Sequence, residues 1–226
     1  MKLFVPRSVF KNVLCLTLAA ASATLLADAS KPITGPYLAD LQKMELGAPP
    51  DELFILNGAF KVAEQDGNKF LELPGNPLDS FGVLYGAENL TSVEASAKIF
   101  GTQTGKMFPE FGVGTNDSGG WKLWMLPGQN ALILRKKESE EITRVPYQWT
   151  NGGWTSLKLR VTTSGEGKWL IEGKAWPANQ KEPEAWTITA TDTVAPPAGR
   201  ASIWGHPYAG TPIRFDDLSS TPIVSK

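Results

Sequence analysis

Residues 91–101 alternate without interruption. Val93, Ala95, Ala97 and Ile99 fall on one parity, and Ser92, Glu94, Ser96 and Lys98 on the other. Side chains leave a β-strand alternately to its two faces, so this stretch is a strand with one buried and one wet face. A slip of one residue would bury its charges, so the facing is strongly specified. The period of two recurs through the chain. Leu157, Leu159 and Val161 alternate with Lys158 and Arg160. Residues 107–115, 121–125 and 131–136 follow one another across the turn sequences 116–120 and 127–130, a spacing that predicts an antiparallel meander. Asp66-Gly67-Asn68 predicts a tight hairpin turn, because Asp-Gly tolerates the positive φ such a turn needs. Phe54 and Leu56 alternate with Leu53 and Ile55, which predicts a strand buried on both faces. With further segments at 60–62, 70–73, 80–85, 141–146, 169–176 and 184–190, and a closing pair around Ile203-Trp204 and Ile213-Arg214-Phe215, about twelve strands are expected. No helix-long periodicity and no internal repeat competes with them. The fold class predicted is all-β, an antiparallel two-sheet β-sandwich.

The first 29 residues are a different object. Lys2, Arg7 and Lys11 precede an apolar run at 13–26, and Ala27-Asp28-Ala29 has the small-x-small form of a cleavage site. This reads as a signal peptide, too short for a comfortable membrane span, and it predicts a secreted or periplasmic protein. Residues 30–51 read as an N-terminal leader with weak helical spacing at Leu38, Leu41 and Met44, and 52–226 as a single sandwich domain. Cleavage removes Cys15, the one cysteine, so the fold must stand without disulfides. It also removes three basic residues and one acidic, leaving 19 basic against 22 acidic and a net charge of −3. That balance argues against a nucleic-acid partner, which would call for a basic stripe. The basic run Arg135-Lys136-Lys137 is followed at once by an acidic one, as at the solvated end of a hairpin.

From Phe60 to Leu218 the pieces resemble a known family. Phe60-Lys61-Val62 with Gly67-Asn68-Lys69-Phe70-Leu71, then Gly120-Trp121-Lys122-Leu123-Trp124, Leu132-x-Leu134-x-Lys136, and Trp154-x-x-Leu157-x-Leu159-x-Val161 are similar in order and spacing to concanavalin A-like jelly rolls of the laminin-G and glucanase type. Gly173-Lys174-Ala175-Trp176-Pro177 and Glu182-Pro183-Glu184-Ala185-Trp186 resemble a segment of secreted bacterial members, and Phe215-Asp216-Asp217-Leu218 their last strand. The resemblance implies a jelly roll. It leaves the role open among sugar-binding modules, glycoside hydrolases and polysaccharide lyases.

A hydrolase of that type would carry Glu-x-Asp-x-x-Glu on one strand face. Glu64-Gln65-Asp66 begins the string, but Lys69 ends it. A lyase would require a His or Tyr base with a basic partner, for which His206, Tyr208 and Arg214 are the candidates. The competing reading of His206 is a packing or capping residue in a tight connection with Pro207 and Gly210. For binding, parity in the meander assigns Phe111, Val113, Trp121, Leu123, Met125, Leu132 and Leu134 to the core, and Phe108, Glu110, Lys122, Trp124, Ile133 and Arg135 to the outer face of one sheet. A flat ring beside charged donors and acceptors suits a sugar. Glu110, Lys122, Trp124 and Arg135 are therefore the expected carbohydrate-binding residues, with Trp124 as the stacking platform; the competing reading is that a loop or the leader covers this face and makes it a second small core. The resemblance also implies a structural calcium near Asp216 and Asp217, although calcium needs six to eight oxygens. The leading expectation is a secreted non-catalytic module that binds a polysaccharide, another glycan or a cell-envelope protein. The alternative is a polysaccharide-active hydrolase or lyase.

Overall fold

The structure, a computed structural model, describes Met1 and residues 34–137, 140–165 and 167–224. The signal-peptide reading and its cleavage site lie, Met1 aside, outside the described residues. The strands are β1 (Tyr37–Leu38), β2 (Phe54–Asn57), β3 (Lys61–Gln65), β4 (Asn68–Leu73), β5 (Phe81–Leu90), β6 (Val93–Phe100), β7 (Glu110–Gly114), β8 (Trp121–Leu126), β9 (Ala131–Lys136), β10 (Glu140–Pro146), β11 (Trp154–Gly165), β12 (Lys168–Pro177), β13 (Ile188–Asp192), β14 (Gly199–His206) and β15 (Ile213–Pro222). They form two antiparallel sheets. The eight-stranded sheet runs β13-β12-β11-β6-β15-β4-β3, with β1 also on β15, and the seven-stranded sheet runs β10-β9-β8-β7-β14-β5-β2. The expected all-β sandwich is what the chain builds. Among the described residues no helix is long and apolar enough to cross a membrane.

The local reasons are those the alternation supplies. Val93, Ala95, Ala97 and Ile99 are buried, and their neighbours of opposite parity are half-exposed. Asp66 and Gly67 take φ of 54° and 78°, and β3 and β4 pair from Gln65 opposite Asn68 onward. The leader supplies β1 and one turn of 3₁₀ helix, Leu41–Lys43, whose Leu41 enters the main core. β14 and β15, adjacent in the chain, become internal strands of opposite sheets, so the closing segment stitches the sandwich together.

The expectation for the first strand is corrected. β2 is the edge strand of its sheet, flanked by a strand on one side only, with the Arg200 guanidinium 5.8 Å from the centroid of the Phe54 ring. Phe54 is therefore 53% exposed while Leu53 is buried.

The outer faces of the two sheets differ. On the eight-stranded sheet charges interlock: Lys158 lies 3.4 Å from Glu94 and 2.9 Å from Glu182, and Arg160 2.7 Å from Glu172. The seven-stranded sheet instead carries a second apolar cluster of Trp124, Leu126, Ala131, Ile133 and Trp204. That sheet is consequently apolar on both sides at its centre.

Lys136 of β9 and Asp192 of β13 pair across the side of the sandwich, with side chains only 19% and 14% exposed. Burial alone would raise the Asp192 carboxyl, but the Lys136 ammonium and the backbone N–H groups of Val194 and Thr193 bring it below the usual aspartate range. A carboxylate held down by the fold stabilises above its unfolded pKa, and the benefit is lost as pH falls through the folded value. Asp192→Asn should cost about 1–2 kcal/mol at neutral pH, between the values for exposed and buried pairs. In urea titrations the gap between variant and parent should begin to narrow only below about pH 4 and close as pH falls through the lowered folded value. An equal gap at neutral pH and below the folded value would rule out this pair as the cause.

Candidate functional site

The site is built on the outer face of the seven-stranded sheet. Gly112, Trp124 and Ile133 stand opposite one another across β7, β8 and β9, as do Gly114, Lys122 and Arg135 one step along. Two indoles lie flat on this face because glycines leave them room. A Cβ on Gly112 would come within 2.8 Å of Trp124, and one on Gly82 within 2.7 Å of the Trp204 ring. The Trp204 indole N–H donates to Ser202 Oγ at 2.8 Å. The Lys122 ammonium lies 4.4 Å from the centroid of Trp204 and donates to the carbonyls of Ser118 and Lys137. The Arg135 guanidinium lies 5.1 Å from the centroid of Trp124.

Above this floor opens a cleft of about 500 Å³, lined among others by Asn57, Ser80, Lys122, Trp124, Arg135 and His206. The expected residues Glu110, Lys122, Trp124 and Arg135 are thus brought onto one face. Their roles differ from those the sequence suggests. Trp124 is only 2% exposed. His206 packs against it at 4.7 Å between ring centroids, Arg135 covers it, and its N–H reaches Glu110 Oε2 at 3.4 Å. It is a floor tile rather than a stacking platform, and that expectation is corrected. Phe108 lies before β7, against Gly128.

His206 is the largest revision. As the last residue of β14 it stands opposite Glu110 in register. Its Nε2 is 2.7 Å from Ser80 Oγ, its Nδ1 is 3.5 Å from Glu110 Oε2, and its ring meets Tyr208 at 5.0 Å. Burial, with Glu110 and Asp79 nearby, raises the Tyr208 phenol above its ordinary range against the pull of Arg135. The trio of His206, Tyr208 and Arg214 is not assembled. Arg214 sits on the other sheet, 3.2 Å from Glu72 and over Phe70. The basic residue that lines the cleft with His206 is Arg135.

The two carboxylates expected to hold calcium are engaged by other side chains. Asp217 Oδ2 is 2.6 Å from the Lys98 ammonium, and Asp216 accepts from Asn68 Nδ2 at 3.0 Å. Burial raises the Asp216 carboxyl despite that bond, and the adjacent Asp217 adds to the rise. No group of three or more acidic, His or Cys side chains able to hold a metal occurs among the described residues. Two carboxylates already facing Lys98 and Asn68 do not make the oxygen cage calcium requires.

No protein-family model matches the sequence. No curated protein matches it either. Solved structures do match in shape. The carbohydrate-binding module CBM66 from Bacillus subtilis superposes with a TM-score of 0.52 at 12% identity, covering 75% of this chain and 95% of that one. Lectin II from Ulex europaeus gives 0.52 at 10% identity, with 84% and 98% covered. A double mutant of the alginate lyase Aly36B, in complex with an alginate trisaccharide, gives 0.58 at 9% identity, with 85% and 100% covered. The fold is the concanavalin A-like jelly roll. At these identities the likeness establishes the jelly roll and leaves its chemistry to the residues in the cleft.

Sequence reasoning reached His206 only as a lyase-base candidate in a tight connection, and it did not single out Ser80. Parity in β14 puts Ser202, Trp204 and His206 on one side, opposite Ala201 and Ile203 of the core, so the same alternation that located Trp124 could have located His206. Ser80, the first residue of the expected 80–85 segment, falls just before β5, and nothing in that segment marks it as reactive.

Proposed function

We propose that the chain is an exported carbohydrate-binding protein whose ligand lies in the cleft above Trp124 and Trp204. The observation that carries this reading is Arg135. Among the described residues its Nε is buried without a hydrogen-bond partner, although the residue lines an open cleft. Buried polar atoms nearly always have partners, so an orphaned donor there marks where a ligand oxygen completes the set. Asn57, Ser80, Ser118 and Lys122 add the mixed donors and acceptors that sugar hydroxyls use, over an apolar floor. The neighbours in shape include a carbohydrate-binding module and a lectin, which supports the same class of ligand. Export follows from the reading of residues 1–29.

The test is affinity electrophoresis against neutral and uronate-containing polysaccharides. At least one should retard the protein, and Arg135→Ala should weaken that interaction about tenfold or more, the scale of one charge-assisted hydrogen bond. Retardation by none, or equal retardation of the variant, would overturn the reading.

A further inference from the structure

We propose that Ser80, His206 and Glu110 form a nucleophile, base and carboxylate set for acyl transfer, and that the chain removes ester-linked acyl groups from saccharides. The saccharide half rests on the carbohydrate reading above; the acyl-transfer half does not.

The geometry comes first. Ser80 Oγ and His206 Nε2 are 2.7 Å apart, the contact by which an imidazole takes a hydroxyl proton. Both residues line the cleft, so the pair faces space a substrate can enter. The backbone of Ser80 is fixed at two points: its carbonyl accepts from Asn57 Nδ2 at 2.7 Å, and its N–H donates to Asp79 Oδ1 at 2.7 Å. The imidazole is fixed by its packing on Trp124 and Tyr208.

The tautomer follows. For Nε2 to accept the serine proton, Nδ1 must carry the ring hydrogen. Nδ1 is buried, and the group facing it is Glu110 Oε2 at 3.5 Å, looser than a hydrogen bond. Such contacts are often long without substrate and tighten in the reacting complex. Glu110 Oε2 also takes the Trp124 indole N–H at 3.4 Å, so one carboxylate oxygen ties the ring to the floor beneath it. This constellation is recognised by roles and geometry on unrelated folds, not by a sequence motif.

The reaction balances with water alone. Ser80 Oγ attacks the acyl carbonyl carbon, and its proton passes to His206 Nε2. The carbonyl carbon–oxygen bond to the sugar breaks, and the sugar oxygen leaves with that proton as a hydroxyl. Water then attacks the acyl-serine and gives a proton to the same nitrogen, which returns it to Ser80 Oγ as the carboxylic acid departs. Arg135 is a cation lining the same cleft, placed to meet charge on the carbonyl oxygen. Ser80 and His206 are the catalytic residues, and Glu110 is a positioning residue that acts through the ring.

The test is labelling of the full chain with a fluorophosphonate probe, with the adduct located by mass spectrometry, beside acetate release from acetylated xylan. The adduct should sit on Ser80 and be absent in Ser80→Ala. His206→Ala and His206→Gln, checked for folding by circular dichroism, should each label about 100-fold more slowly or worse. Glu110→Gln should lower the limiting labelling rate while leaving the half-saturating probe concentration unchanged, a split that loss of cleft shape would not give. A folded protein without a Ser80 adduct, or labelling unaffected in both His206 variants, overturns the set. A Ser80 adduct with no retardation by any polysaccharide keeps the acyl-transfer chemistry and removes the saccharide. Retardation without an adduct removes the chemistry and keeps the binding.

Discussion

Phe215→Ala is expected to destabilise the protein by about 3–5 kcal/mol, the usual range for emptying a buried phenylalanine site. Phe215 is fully buried on β15, between β4 and β6, and its ring meets Phe60 at 6.0 Å between centroids. Across the sandwich it presses on β14, where a Cβ on Gly205 would come within 3.2 Å of it. The void would open where the two closing strands face each other, and strands tied on both sides by ladder hydrogen bonds cannot move in to fill it. Against a typical total of about 5–15 kcal/mol, this is a large fraction of the stability. Guanidinium unfolding should show a much lower midpoint at unchanged slope. A loss under about 1 kcal/mol would mean that the core there relaxes freely.

Gly112→Val is the second large effect, and it reaches both stability and the cleft. A Cβ at this position would lie 2.4 Å from the Leu123 carbonyl oxygen, part of the backbone of the adjacent strand. A flexible side chain could yield to it, but a laddered backbone cannot. Overpacking of this kind costs about 1–3 kcal/mol, and a β-branched residue belongs at the upper end. The Trp124 indole is the other atom set in the way, so the floor must lift, and with it the support of His206 and Arg135. Denaturant titration should register the stability loss, near-ultraviolet circular dichroism the displaced indole, and polysaccharide retardation the damaged cleft. Gly119→Ala, where an added Cβ meets only Pro197 at 3.9 Å, is the matched control and should change none of the three. A folded Gly112→Val protein with full binding would show that the indole floor is not needed.

The difference between what alternation reveals and what it conceals is plain in these residues. Parity along β7, β8 and β9 is a local property, so it placed Phe111, Trp121 and Leu134 in the core and Glu110, Trp124 and Arg135 outside it. Parity cannot say what lies on top of an outer face. Trp124 is covered by His206, whose strand is some 80 residues away in sequence and lies beside β7 only because the fold pairs β14 with it. Ser80 is still less visible, since a loop serine meets a distant imidazole only through tertiary structure. Asp216 and Asp217 show the reverse failure. A resemblance suggested an ion, but partners on β4 and β6, Asn68 and Lys98, take up both carboxylates. The exposure of Phe54 follows from its position at a sheet edge, which no pattern within β2 can encode.

The second apolar cluster bears on the thermodynamics of ligand capture. Trp124 and Trp204 are seated over glycines and packed with Leu126 and Ile133 before any ligand arrives. Immobilising a rotamer-rich side chain at an interface costs roughly 0.5–1.5 kcal/mol, and a preorganised floor has already met that cost during folding. On the proposed binding, what remains to be ordered lies at the rim, where Leu56 and Asn57 are exposed. The entropy penalty of association therefore falls on a few peripheral side chains, and selectivity among ligands can be tuned there without reopening the sandwich.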